Sequence, residues 1–148
     1  MKLSVVIPAY NEAESLPETI TLISQALKDH KIANEILVIN DNSSDNTVDI
    51  LNSLKKEVDT LRFITNEGPN GFGYAIRKGL ENFTGEIVAI MMAGLSDSTI
   101  DLVAFYQTLI NEKVDAVFGS RFIKGGKTID YPRLIEKYFS KGDFVKKW

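Results

Sequence analysis

Short apolar runs alternate with helical patterns along most of this chain, and that alternation admits very few folds. Leu3–Pro8, Glu35–Asn40, Leu61–Asn66, Glu86–Met92 and Ala116–Ser120 are rich in Val and Ile and nearly continuous in hydrophobicity. Strands of a parallel sheet, buried on both faces, have that character, so these five runs predict five strands. Between them, Ser15–Lys28 sets Leu16, Ile20, Ile23 and Leu27 at helical spacing, and Thr47–Val58, Gly73–Asn82 and Thr99–Asn111 follow as further predicted helices. Repeated βα units of this kind predict an α/β fold with a mostly parallel sheet flanked by helices. Start signals agree: Ser15 and Glu18 have the spacing of a capping box, Asp45 or Asn46 can cap the second helix, and Ser98 can cap the fourth.

Composition narrows the chemistry. With 148 residues, 44% hydrophobic and 25% charged, the chain has the core of one ordinary domain and not of two. It has no cysteine and a single histidine, His30, so disulfides, thiolate sites and multi-histidine metal sites are excluded. A metal here would need carboxylates. The apolar stretch at the amino terminus is too short for a signal peptide, and no window holds the ~18 consecutive apolar residues of a membrane span, so the expectation is a soluble, cytoplasmic chain.

Charge is unevenly spread. The formal net charge is −3, yet residues 121–148 hold eight basic side chains, from Arg121 to Lys147, against Asp130, Glu136 and Asp143. That stretch is therefore +5, and the first 120 residues are −8. A cationic tail on an acidic body suits a phosphate-bearing or membrane-surface partner better than duplex nucleic acid, although a solvated basic helix has the same composition. Beyond Gly125-Gly126 the βα rhythm stops, and the remainder reads as a basic, helical appendage.

In an open parallel sheet, ligands bind where the strands end. The first such loop is Pro8-Ala9-Tyr10-Asn11-Glu12: Tyr10 offers a ring for a nucleobase to stack on, and Glu12 an acceptor for base or ribose. Proline and asparagine also make a turn without any ligand. The second is Asn40-Asp41-Asn42-Ser43-Ser44-Asp45-Asn46-Thr47, where Asp41 is placed to accept an imino or amino N–H from a base edge and Ser44 to Thr47 have turn and cap chemistry. The third, Asn70-Gly71-Phe72-Gly73-Tyr74-Ala75-Ile76-Arg77-Lys78-Gly79, opens a helix with glycines; backbone can approach a ligand there and a helix amino terminus favours phosphate. Tight helix–sheet packing accounts for the glycines equally well. Neither a Walker loop nor a G-x-G-x-x-G after the first strand is present.

Taken in order, Pro-x-Tyr-Asn-Glu, the Asp-Asn-Ser-Ser-Asp turn, the Gly-x-Gly-x-Ala-x-x-x-Gly helix start and Phe118-Gly119-Ser120-Arg121-Phe122 resemble family 2 glycosyltransferases of the GT-A fold, in the branch that includes dolichyl-phosphate mannose synthase and the polyprenyl-phosphate glycosyltransferases. The resemblance runs from Leu3 to about Arg133. It implies a nucleotide-sugar-binding GT-A domain over 1–126 with the appendage at 127–148, shortened at its carboxyl side. It further implies that Pro8, Ala9, Tyr10 and Glu12 line a nucleotide pocket, that Ile39 and Asp41 grip the base, and that Gly71 and Ala93 border the substrate. Arg121 would be the catalytic cation, its planar fork meeting phosphate of the donor or of a lipid-phosphate acceptor.

One departure matters. Such enzymes carry Asp-x-Asp after the fourth strand, holding Mg²⁺ or Mn²⁺ against the diphosphate; the corresponding residues here are Met92-Ala93-Gly94. Asp97 is the nearest carboxylate and the one candidate metal ligand, although beside Ser96 and Ser98 it also reads as a turn residue. A metal that stabilises a departing diphosphate supplies several kcal/mol, so its loss weakens turnover. The expectation is an inverting transferase that moves a sugar from a nucleoside diphosphate-sugar to an acceptor such as a polyprenyl phosphate, at the inner face of a membrane. The alternative is a binding or regulatory module that kept the fold and lost the metal site. A receiver-like signalling domain fits poorly, because Pro8-Ala9-Tyr10 supplies no acid pair.

Overall fold

The sheet is built outward from a strand with no exposed residue. In the computed structural model, which describes residues 1–94 and 96–119, β1 (Leu3–Ala9) is buried along its whole length. It lies between β2 (Asn34–Asn40) and β4 (Ile87–Ile90), with β3 (Leu61–Thr65) beyond β2, giving the order β3-β2-β1-β4 with every pairing parallel. Burying each Val, Leu or Ile of the two central strands contributes about 1.5–3 kcal/mol, which is why they read as unbroken apolar runs. Among the described residues four helices connect or follow them: α1 (Leu16–Asp29), α2 (Thr47–Glu57), α3 (Phe72–Asn82) and α4 (Thr99–Glu112).

Pro8 tests the logic of the sheet, since proline cannot donate to a ladder. Odd-numbered residues of β1 bond to β2, as in Leu3 N–H to Ala33 O and Asp41 N–H to Ala9 O, whereas Lys2 and Val6 accept from the β4 side. Pro8 therefore faces β4. Pairing with β4 has ended by then, at Val6 opposite Ile90, so no ladder bond is lost.

Helix α1 buries the predicted stripe of Leu16, Ile20, Ile23 and Leu27. Helix α3 lies close on β1 and β2 because its inward residues are small: Ala75 joins Val6, Leu37 and Ile39 in one core cluster, and a Cβ on Gly79 would collide with Val6. Packing, not ligand approach, explains that glycine.

Three expectations need correction. The fifth strand, Ala116–Ser120, does not form within the described residues: Ala116 to Gly119 lie in no strand, and Phe118 is 79% exposed. An apolar run becomes a strand only where it finds a partner edge. The fourth strand is shorter than Glu86–Met92: its pairing with β1 ends at Ile90, and the bond from Met91 N–H to Val6 O closes the ladder. The capping box at α1 is absent: the Ser15 hydroxyl donates to the Glu12 carboxylate, a charged acceptor, and caps no amide of its own helix. By contrast Ser98 does cap α4, its Oγ accepting from Ile100 and Asp101 N–H at 3.2 and 3.4 Å.

Met1–Val103 makes one compact unit, with the sheet and its first three helices. The remainder, Ala104 onward, forms a second unit, of which the rest of α4 and the stretch to Gly119 are described. The 126/127 boundary and the 127–148 appendage lie outside the described residues.

Candidate functional site

At the carboxyl ends of β1, β2 and β3 the loops are tied together by side chains of Asn, Asp, Ser and Thr. The turn after β1 pivots on Asn11, whose φ of 54° puts it in the left-handed region that asparagine tolerates. Its Oδ1 accepts from Ser44 and Asp45 N–H at 2.8 and 3.3 Å, and its own N–H donates to Ser43 Oγ at 3.0 Å. Glu12 N–H reaches Thr47 Oγ1 and Ala13 N–H reaches Asp45 Oδ2. The Thr47 hydroxyl in turn holds the Asp45 carboxyl below its ordinary range. Two loops about thirty residues apart in sequence are thus one structure, clamped before any ligand arrives.

Asp41 is the centre of the second layer. It follows β2 directly, is 5% exposed, and its N–H is anchored on Ala9 O at 2.8 Å. Its carboxylate accepts from Asn66 Nδ2 at 2.7 Å on one oxygen and from Gly71 N–H at 2.6 Å on the other. Gly71 has φ 135°, a conformation that only glycine adopts without strain, and this turns its amide toward Asp41 at the start of α3. Asn42, also left-handed at φ 59°, donates to Asn66 O and Asn70 Oδ1. Beside this layer a shallow pocket is lined by Asn70, Gly71, Gly73, Tyr74 and Arg77.

The structure brings together some of the candidate residues and not others. Ala9, Asp41 and Gly71 are linked by hydrogen bonds. Tyr10, 58% exposed, and Glu12, tied to Ser15, stand on the adjoining turn. Pro8 and Ile39 face each other in the strand register and are buried, and Ile39 belongs to the core cluster under α3. Ala93 and Asp97 belong to the loop after β4, where Ala93 O accepts from the Thr19 hydroxyl at 2.6 Å and Asp97 Oδ2 from Met92 N–H at 2.7 Å. Arg121 lies outside the described residues. Asn11, Asn42 and Asn66, which nothing in the sequence separates from ordinary turn residues, turn out to organise the loops.

The metal expectation meets a poor donor set. Met92 and Gly94, the residues that the family resemblance sets against Asp-x-Asp, are exposed and offer no carboxylate. Asp97 commits one oxygen to a backbone amide, and among the described residues no three Asp, Glu or His side chains converge. The residues described do not fit a diphosphate-bound metal.

Comparison with known proteins agrees with this arrangement of strands and loops. A dolichol-phosphate mannosyltransferase of Pyrococcus furiosus is 32% identical over 142 residues, covering 96% of this chain and 39% of that protein. An undecaprenyl-phosphate 4-deoxy-4-formamido-L-arabinose transferase of Salmonella choleraesuis is 36% identical over 98 residues, covering 65% of this chain and 30% of that protein. Among solved structures, a mannosyltransferase from Pyrobaculum calidifontis in complex with GDP-Man and Mn²⁺ superposes with a TM-score of 0.64 at 26% identity, covering 76% of this chain and 33% of that one. The chain thus spans well under half the length of each of these relatives, and its sheet is that of the GT-A glycosyltransferases. The model of the family described as glycosyl transferase family 2 matches residues 4–148, nearly the entire sequence, and the chain belongs to that family.

Proposed function

We propose that this chain is the nucleotide-sugar-binding part of an inverting glycosyltransferase whose acceptor is a polyprenyl phosphate. The observation that carries the reading is the clamped platform around Asp41, with an anionic acceptor at the carboxyl ends of the strands and an exposed Tyr10 beside it. A base placed over Tyr10 would present its N–H groups to Asp41, while the sugar diphosphate would extend past the β4 loop. Relatives support both classes of substrate: two are named for dolichol phosphate or undecaprenyl phosphate, the acceptor class, and a third was solved with GDP-Man, a donor. In the transfer, an acceptor phosphate oxygen would form a bond to the anomeric carbon as that carbon's bond to the diphosphate breaks, the nucleoside diphosphate leaving with the electron pair. A phosphate is already an anion at neutral pH, so no strong general base is required. That suits a site without histidine. Arg121 is the residue of the sequence assigned to meet phosphate charge, and the basic 121–148 stretch is assigned to a cytoplasmic membrane face where a lipid acceptor lies.

A second reading, a binding module with impaired turnover, rests on the resemblance that sets Met92 and Gly94 against the family's Asp-x-Asp, and is favoured by one observation: neither residue carries a carboxylate. Calorimetric titration with UDP-, GDP- and dTDP-sugars, with and without Mn²⁺, followed by a transfer assay to a polyprenyl phosphate, separates the two. Binding with transfer supports the enzyme, binding without transfer supports the module, and no binding of any sugar nucleotide refutes both.

A further inference from the structure

We propose that Asn66 is a positioning residue of the nucleotide site: it fixes the plane of the Asp41 carboxylate, so that the acceptor positions left free are oriented before a base arrives. The inference rests on the reading that Asp41 receives the nucleobase. Asn66 follows β3 directly, its N–H continuing the ladder to Asn40 O at 2.8 Å, and it is 5% exposed. Every polar group of its side chain is engaged. Nδ2 donates to Asp41 Oδ1 at 2.7 Å and to Pro69 O at 3.0 Å, and Oδ1 accepts from Gly68 N–H at 3.4 Å. Flipping the amide would set its oxygen against two other acceptors, so the orientation shown is the one the surroundings permit.

The consequence falls on Asp41. An ionised carboxylate has about four acceptor positions, and Asn66 and Gly71 take one on each oxygen. Donors on both oxygens stop the carboxylate from rotating, and the remaining positions point in fixed directions. A ligand N–H then meets an acceptor whose orientation is set in advance, and less freedom is lost on binding. Serine would be too short to reach both Asp41 and Pro69, and aspartate would offer no donor.

The test is calorimetric titration of UDP, GDP, dTDP and pyrophosphate into the unaltered chain, Asn66→Ala, Asn66→Asp, Asp41→Ala, and the Asn66→Ala/Asp41→Ala double variant. The nucleoside diphosphate bound by the unaltered chain should lose roughly tenfold in affinity in Asn66→Ala, with pyrophosphate binding unchanged. The double variant should bind no more weakly than Asp41→Ala alone, because Asn66 acts through Asp41. Asn66→Asp keeps the size and the Gly68 contact but sets a like charge against Asp41, so its loss of nucleotide affinity should exceed that of Asn66→Ala; unchanged affinity in it would overturn the proposal should Asn66→Ala fail to fold. Equal losses for nucleotide and pyrophosphate, or additive losses in the double variant, would overturn the proposal. If the unaltered chain binds none of UDP, GDP and dTDP, the nucleotide reading itself fails; the Asn66 support is then judged by amide exchange at Gly71, which should be roughly tenfold faster in Asn66→Ala, and unchanged exchange would overturn it.

Discussion

The two ends of the sheet each carry a buried carboxylate, and they use it differently. At the amino ends, Glu35 is held by three donors, one of them a cation: Ser4 Oγ and Thr84 N–H donate to one oxygen and Arg62 Nε to the other at 2.8 Å, an ion pair. Arg62 also reaches Asn82 O, and the Ser4 hydroxyl accepts from Gly85 N–H, so β1, β2, β3 and the entry to β4 are sewn together at that end. At the carboxyl ends, Asp41 has two donors and, among the described residues, no cation. A carboxylate with its charge balanced and most of its acceptor positions filled holds a fold; one with capacity left is available to a ligand. The same chemistry is committed to structure at one end and has acceptor positions left at the other.

The amino-terminal end should give the largest effects, and all of them in stability. Glu35→Gln removes the charge facing Arg62 and should destabilise the fold by about 3 kcal/mol, read as a lower denaturation midpoint with nucleotide affinity unchanged in the folded fraction. A loss below ~1 kcal/mol would show that this end is not the sheet's main polar fastening. The pH dependence follows from the same group. Burial alone would raise the Glu35 carboxyl, but the bonds from Ser4, Arg62 and Thr84 outweigh it and bring it from 4.5 to about 2. Because the folded value is depressed, the unfolded chain takes up the proton first as pH falls. The stability Glu35 contributes is complete above about pH 4.5 and drains away toward about pH 2. Glu35→Gln should flatten the acid limb in that window, and an unchanged limb would exclude Glu35 as its source.

The carboxyl-terminal end should respond in binding. Asp41→Ala should weaken nucleoside diphosphate binding by roughly 1–3 kcal/mol, the usual cost of losing a hydrogen bond to a charged group. Unchanged affinity in a folded variant would remove Asp41 from the site. Within this end the β4 loop is the weaker partner. Mn²⁺ should raise nucleotide affinity by less than about threefold, since stabilising diphosphate charge through a metal needs ligands that Met92 and Gly94 do not supply. A Cβ at Gly94 would meet no atom within 4 Å, so Gly94→Asp is sterically free and should increase the dependence on Mn²⁺. Strong metal dependence in the unaltered chain would mean that another carboxylate serves.

The remaining effect is expected outside both ends, at the basic stretch, residues 121–148, where each lysine near an anionic bilayer contributes about 1 kcal/mol. Co-sedimentation with anionic but not neutral vesicles, fading with added salt, is the predicted result. Equal recovery in the supernatant with both would exclude a membrane partner for this stretch.

Much of the fold was legible in the sequence because burial on both faces leaves an unmistakable pattern. Leu3–Pro8 and Glu35–Asn40 fall within a residue of β1 and β2, and the α1 stripe from Leu16 to Leu27 is the buried one. Shorter signals failed where tertiary partners decide. Ala116–Ser120 has the same apolar character as a strand, but a strand exists only when another edge receives it. Ser15 pairs with the Glu12 carboxylate and not with the helix amides, a choice between two partners that spacing alone leaves open. Of the candidate site, Asp41 and Gly71 were visible as a strand-end acid and a helix-start glycine. Their contact across thirty positions was not, and neither was the amide of Asn66 that supports it.

Chemical-shift mapping during titration with a nucleoside diphosphate compares the two ends in one experiment. If Asp41 is the receptive carboxylate, amide shifts concentrate at residues 9–12, 41–43 and 66–74, around Tyr10, Asp41 and Gly71, while Ser4, Glu35 and Thr84 stay still. Shifts centred on the Glu35 end, or spread evenly over both, would contradict that assignment.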